Sequence, residues 1–116
     1  MSADSPNAEA NGGGRLPDDV IAEVLASPRR RLLLAAVLPA DDPVPVVDIA
    51  RRIVAEERDR APNRVSDEAV EEVKADVYAT HLPKLTALRV VDFDSQIAGV
   101  EPAENAPEVR DRLGEK

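Results

Sequence analysis

The chain holds a single histidine, His81, preceded by Thr80, and three consecutive arginines, Arg29, Arg30 and Arg31, that follow Ser27-Pro28. A hydroxyl beside an imidazole is the raw material of a base-activated nucleophile, but adjacent residues on a helix point about 100° apart, too far for the base to reach. A metal centre needs three or four convergent donors, and no Cys and no second His are present to join His81. Gly12-Gly13-Gly14 lacks the Lys and Ser or Thr of a phosphate-cradling loop, and the pairs Glu56-Glu57 and Glu71-Glu72 have the spacing of solvated helix faces. The expectation is a protein that is not an enzyme and carries no metal and no cofactor. What remains is the chemistry of arginine, whose rigid fork of donors suits phosphate oxygens. Against that stands the acidity of the chain. The favoured reading of the triplet is that Arg30 or Arg31 pairs with carboxylates of a long downstream helix while the others are solvated. A second basic stretch comprises Arg51, Arg52, Arg58, Arg60 and Arg64, and whether it shares a face with the triplet is not readable from spacing.

These residues need elements to position them. Pro17-Asp18-Asp19 followed by Val20, Ile21, Val24 and Leu25 predicts a short helix with acids in its first turn, where the helix dipole favours them. Ser27 is an N-cap and Pro28 a first helical residue for a second helix to about Leu38, whose stretch from Leu32 to Leu38 is apolar on nearly all sides and therefore makes it central. Residues 39–45 are turn material, and Val44 to Val46 suffice for a stub of strand. Asp48 caps a third helix to about Arg58, with Ile49, Ala50, Ile53 and Val54 on its apolar face. Ser66-Asp67-Glu68 starts the longest helix, along which Val70, Val73, Val77, Leu85 and Leu88 recur at helical steps. Pro83 lies inside it and should bend the axis. The pattern then alternates from Arg89 to Asp94 and returns over Ile97 to Val100, a hairpin turning at Ser95-Gln96.

The 116 residues carry 23 Asp and Glu against 15 Lys and Arg, a net charge of -8, and 12 of the 15 cations are Arg. Acid excess with few lysines suggests a salt-adapted proteome, in which an acidic surface keeps a protein solvated. The longest apolar run, Leu32 to Leu38, is far below the roughly 20 residues that span a membrane, and the N-terminal segment lacks the features of a signal peptide. A cytoplasmic protein with no membrane partner is expected. Residues 1–15 read as a disordered N-terminal arm, 16–100 as the folded domain and 101–116 as an acidic C-terminal tail, with one or two helical turns available between Pro107 and Leu113.

The order of elements, together with the run from Thr80 to Asp94, resembles the winged helix-turn-helix domains of archaeal and bacterial transcription regulators, in which a helix with a His-Leu-x-x-Leu pattern leads into a two-stranded wing. It is most similar to a family of small haloarchaeal winged-helix domains of unassigned function, through Ser27-Pro28-Arg29-Arg30-Arg31 and His81-Leu82-Pro83-Lys84-Leu85. The resemblance covers residues 17 to 100 and implies a mainly α fold with a small β-hairpin wing. It also implies that the helix from Ser66 to Leu88 enters the major groove of duplex DNA. Its candidate DNA-facing groups are Lys74, Tyr78, Thr80, His81 and Lys84, with Arg89 beside the wing and Arg29, Arg30 and Arg31 as a phosphate clamp.

The same sequence departs from that pattern. Asp67, Glu68, Glu71, Glu72 and Asp76 put five carboxylates on the half of the helix that usually approaches bases, and the wing tip Asp94-Ser95-Gln96 has no cation. The expected function is a small transcription regulator that binds duplex DNA as a homodimer. The alternative is a winged-helix module for protein–protein association or dimerisation without direct DNA binding, with the acidic helix docking a basic protein partner and Val70, Val73 and Val77 available as a dimer seam.

Overall fold

A computed structural model describes residues 16–115, so the expected N-terminal arm, 1–15, lies outside the described residues. The chain is mainly helical with a three-stranded antiparallel sheet, and its β-hairpin forms a wing beside the helices. Helix α1 spans Asp18–Leu25 and buries Ile21 and Val24. In α2, Pro28–Val37, the Ser27 hydroxyl accepts from the Arg30 N–H, and Leu33, Leu34, Ala36 and Val37 are buried. This helix packs against α1 and α3 and keeps Arg31 and Ala35 at the surface.

Strand β1, Val44–Pro45, runs directly into α3, Val46–Arg58, three residues earlier than a cap at Asp48 would place the start. Pro45, at φ -59°, holds the N-cap position, and the Val46 N–H donates to the Ala98 carbonyl at 2.9 Å. Asp48 therefore sits in the first turn, where its charge still suits the dipole. The helix ends at Asp59 in the left-handed region (φ 55°), and the Arg60 N–H closes the last turn onto the Ala55 carbonyl at 2.9 Å.

After a 3₁₀ turn, Pro62–Arg64, the Ser66 hydroxyl accepts the Ala69 N–H at 3.1 Å and starts α4, Asp67–Asp76. The helical path continues through a π turn, Val77–His81, into α5, Leu82–Ala87. The widened turn lies immediately before Pro83, and the Leu82 N–H reaches back five residues to the Val77 carbonyl. The missing proline donor is thus accommodated by a wider turn, which keeps Val77, His81 and Leu85 all buried.

Strands β2, Val91–Asp94, and β3, Gly99–Pro102, form the wing, and the sheet order is β1-β3-β2. The returning strand begins two residues later than the expected Ile97. The register pairs Phe93 with Val100 and Val91 with Pro102, which leaves Val91 and Val100 fully buried. Four residues then make the turn: the Asp94 carboxylate accepts the Gln96 N–H, Ala98 takes φ 49°, and Ile97 is left exposed.

The stretch expected as a tail from Glu101 is part of the packed structure. Glu101 and Pro102 complete β3, and α6, Ala106–Glu115, folds back onto α1 and α2 with Ala106 and Val109 buried. Polar groups fasten it. Asn105 is buried, its Nδ2 donates to the Leu88 carbonyl at 2.9 Å, and Arg110 donates to the Leu38 carbonyl at 2.7 Å. The Leu16 N–H donates to Glu108 at 2.8 Å. The core is accordingly one cluster running from Val24 through Leu34, Ile49, Ile53, Val77 and Leu85 to Val109.

Candidate nucleic-acid interface

The arginine triplet is distributed by the geometry of α2. Arg29 forks onto Glu57 of α3, with Nε and Nη2 donating to the two carboxylate oxygens at 2.7 and 2.9 Å, and its Nη1 donates to Asp76 of α4 at 3.1 Å. The hydrogen bond with Glu57 raises the guanidinium pKa further, against desolvation, so the group is a fixed cation. Arg30 turns back to α1, donating to the Val24 and Glu23 carbonyls at 2.9 Å each. It satisfies backbone acceptors that the end of a helix leaves open. Arg31 is exposed. The arginine that meets the long helix is therefore Arg29, and among the described residues neither Arg30 nor Arg31 shows a carboxylate partner.

Asp76 is the centre of that network. Burial pushes its carboxyl pKa up, but hydrogen bonds from Arg29 and Thr80 and the adjacent His81 outweigh this and hold it below its ordinary value. His81 Nε2 lies 3.0 Å from Asp76 Oδ2, the oxygen that Arg29 also contacts, and His81 Nδ1 is buried with no partner. A carboxylate accepts only, so Nε2 is the nitrogen that donates in this pair. With a residue exposure of only 5%, His81 does not reach a groove, which corrects its place among the DNA-facing candidates. Its i+4 spacing from Val77 and to Leu85 is the signal that places it inside.

The other candidates are not gathered into one cationic surface. Lys74 pairs with Glu71 at 3.2 Å and Lys84 reaches Glu23 of α1 at 3.1 Å. Tyr78 is half-exposed and meets Phe93 of the wing edge-on, with ring centroids 5.7 Å apart. Thr80 is exposed, and its side chain helps hold the Asp76 carboxyl below its ordinary value. Arg89, at φ 59°, is exposed and lies 4.0 Å from Glu104.

The second basic stretch behaves differently. Arg58, Arg60 and Arg64 line a recess of about 390 Å³ with Val65 and Ser66, at the start of α4. Arg51 and Arg52 line a neighbouring one of about 380 Å³ with Val44, Asp48 and Pro62, and Arg52 and Arg60 meet again around Pro62 in a third. Five arginines thus ring the connection between α3 and α4. Among the described residues, none of the five has a carboxylate within 4.0 Å. The outer face of α4 beside them is acidic, with Asp67, Glu68, Glu71 and Glu72 all exposed. Among the described residues no three His, Cys, Asp or Glu converge to hold a metal ion, and no helix is long and apolar enough to cross a membrane.

A family model described as a domain of unknown function, DUF7344, matches residues 22–101. No curated protein and no solved structure matches the chain.

Proposed function

For a chain that belongs to the DUF7344 family, whose description assigns no activity, we propose the function of a small cytoplasmic transcription regulator that binds duplex DNA. In this reading the domain is a winged helix-turn-helix, α3 and α4 are the paired helices, and β2–β3 is the wing. The observation that carries it is the ring of Arg51, Arg52, Arg58, Arg60 and Arg64 around the α3–α4 connection, all without carboxylate partners among the described residues. Cations already held by internal carboxylates have little left to give a phosphate. These five do, and most affinity for DNA comes from releasing the counterions that phosphates condense. Arg29 and Arg30, by contrast, act as internal fasteners, and Arg31 of the same triplet is exposed. A homodimer accompanies the proposal, because two copies present two recognition helices one helical turn apart.

The test is fluorescence anisotropy of the full chain against its own promoter and a scrambled duplex, from low to molar KCl. Selective binding that persists as salt rises supports a sequence reader. Equal, wholly salt-suppressed binding to both duplexes rejects it.

A second reading is favoured by a separate observation, the exposed row Asp67, Glu68, Glu71 and Glu72. That row repels phosphate and suits a basic protein surface, so a docking module without direct DNA contact is the alternative. Crosslinking from this face to protein in place of DNA would distinguish it.

A further inference from the structure

We propose that the recess between α2 and α3 binds a small organic anion with an apolar body, such as a medium-chain or aromatic carboxylate. Its volume is about 340 Å³, within the range of small-molecule sites, and its lining divides by chemistry. Leu32, Ala35, Ala36, Ala55 and Pro62 supply apolar surface, and the small side chains of the three alanines leave the space open. Arg52 and Arg60, exposed and without a carboxylate within 4.0 Å among the described residues, supply two guanidinium forks on α3 and just beyond it.

An anionic head paired with these forks would lie over an apolar floor that receives the rest of the molecule. Glu56 also lines the recess, between the two arginines in sequence. It is the one charged group there that opposes an anion, so it limits affinity and provides an internal control. Arg52 and Arg60 also belong to the ring assigned above to DNA phosphates. A bound carboxylate would therefore compete with DNA for them. That consequence rests on the DNA reading, whereas the site itself is tested without DNA and stands or falls separately.

The experiment titrates the isotope-labelled full chain with octanoate and benzoate, and with 1-octanol and benzyl alcohol as uncharged counterparts, following amide shifts by NMR. Saturable shifts centred on Leu32, Ala35, Ala55 and Arg60 are expected for the carboxylates, with at least tenfold weaker binding of the alcohols. Arg52→Gln and Arg60→Gln should each weaken octanoate binding several-fold, and Glu56→Gln should strengthen it. Ala35→Leu, made at an exposed position so that folding is retained, should block it. Equal binding of acids and alcohols would overturn the proposal, as would shifts confined to other faces or affinity unchanged in both arginine variants. Sedimentation showing a dimer that Ala35→Leu dissociates would also overturn it, because the recess would then be covered by a second copy.

Discussion

Arg29 and Asp76, 47 residues apart in sequence, meet at 3.1 Å, and the same Asp76 oxygen lies 3.0 Å from His81. Three elements are tied at this point: the first turn of α2, the end of α4 and the π turn that follows it. Glu57 of α3 completes the set through its two bonds to Arg29. The network is partly solvated at Arg29 and Glu57 and closed at His81, so its energetic weight falls on the buried end.

Asp76→Ala removes the acceptor of a buried ring nitrogen and should destabilise the fold by about 1–3 kcal/mol, the cost of an unpaired buried donor. Asp76→Asn retains one acceptor oxygen and should cost less. Because the Asp76 carboxyl titrates below its ordinary value of 3.8 in the fold, the folded state binds fewer protons there than the unfolded state. Its contribution is present above that ordinary value and is lost as pH falls through the lower folded value. Urea midpoints of wild type and Asp76→Ala should therefore converge in that acidic window and stay apart at neutral pH. A constant gap through acid would contradict the assignment.

Asn105 joins the end of α5 to the start of α6. Its Nδ2 donates to the Leu88 carbonyl and its backbone N–H to the Arg89 carbonyl, both at 2.9 Å. Asn105→Ala should lower stability by about 1–2 kcal/mol, since it leaves a partly buried carbonyl without its side-chain donor. Hydrogen exchange should show the loss first in α6 amides around Val109. Uniform acceleration throughout the chain, with no earlier opening of α6, would mean that this joint does not govern docking.

The starts of α2 and α4 were legible because their chemistry is local: Ser27-Pro28 and Ser66 are caps that act on N–H groups three residues away, whereas α3 starts at Pro45 without a side-chain cap. The wing was legible as alternation, although its register was not, because burial of Val91 and Val100 decides it from outside the hairpin. Helix α6 was obscured by its composition. Two buried residues, Ala106 and Val109, hold a segment that otherwise reads as charge and proline, and its remaining fastening comes from Asn105, Glu108 and Arg110 reaching distant backbone groups. The same distance effect hid the division among the arginines. Spacing does not show that Glu57 and Asp76 converge on Arg29, or that Arg60 and Arg64 flank the start of α4 with no carboxylate within 4.0 Å among the described residues.

Arg89 occupies the left-handed region at φ 59° just past α5, where the Val90 N–H closes onto the Leu85 carbonyl at 3.0 Å. Glycine is the usual residue at such a helix end, and a side chain there costs about 1–2 kcal/mol of conformational energy. Arg89→Gly should raise the urea midpoint by an amount equivalent to about 1 kcal/mol, the remainder being offset by the freer unfolded chain. An unchanged or lowered midpoint would show that the contact with Glu104, at 4.0 Å, outweighs the strain.

The slope of log affinity against log salt distinguishes the two groups of cations. Each phosphate contact contributes about 0.9 to that slope for duplex DNA. Arg58→Gln, Arg60→Gln and Arg64→Gln should each reduce it by about that amount while leaving thermal stability nearly unchanged, since all three are exposed and without carboxylate partners among the described residues. Arg29→Gln should do the reverse, lowering stability through lost bonds to Glu57 and Asp76 with little change in slope. Lys74→Gln and Lys84→Gln should also leave the slope nearly unaltered, because each cation already has a carboxylate at 3.2 or 3.1 Å. If the slope followed Arg29, Lys74 and Lys84 and ignored the α3–α4 ring, the phosphates would lie against α2 and the long helix, and the internal pairs would have to open on binding.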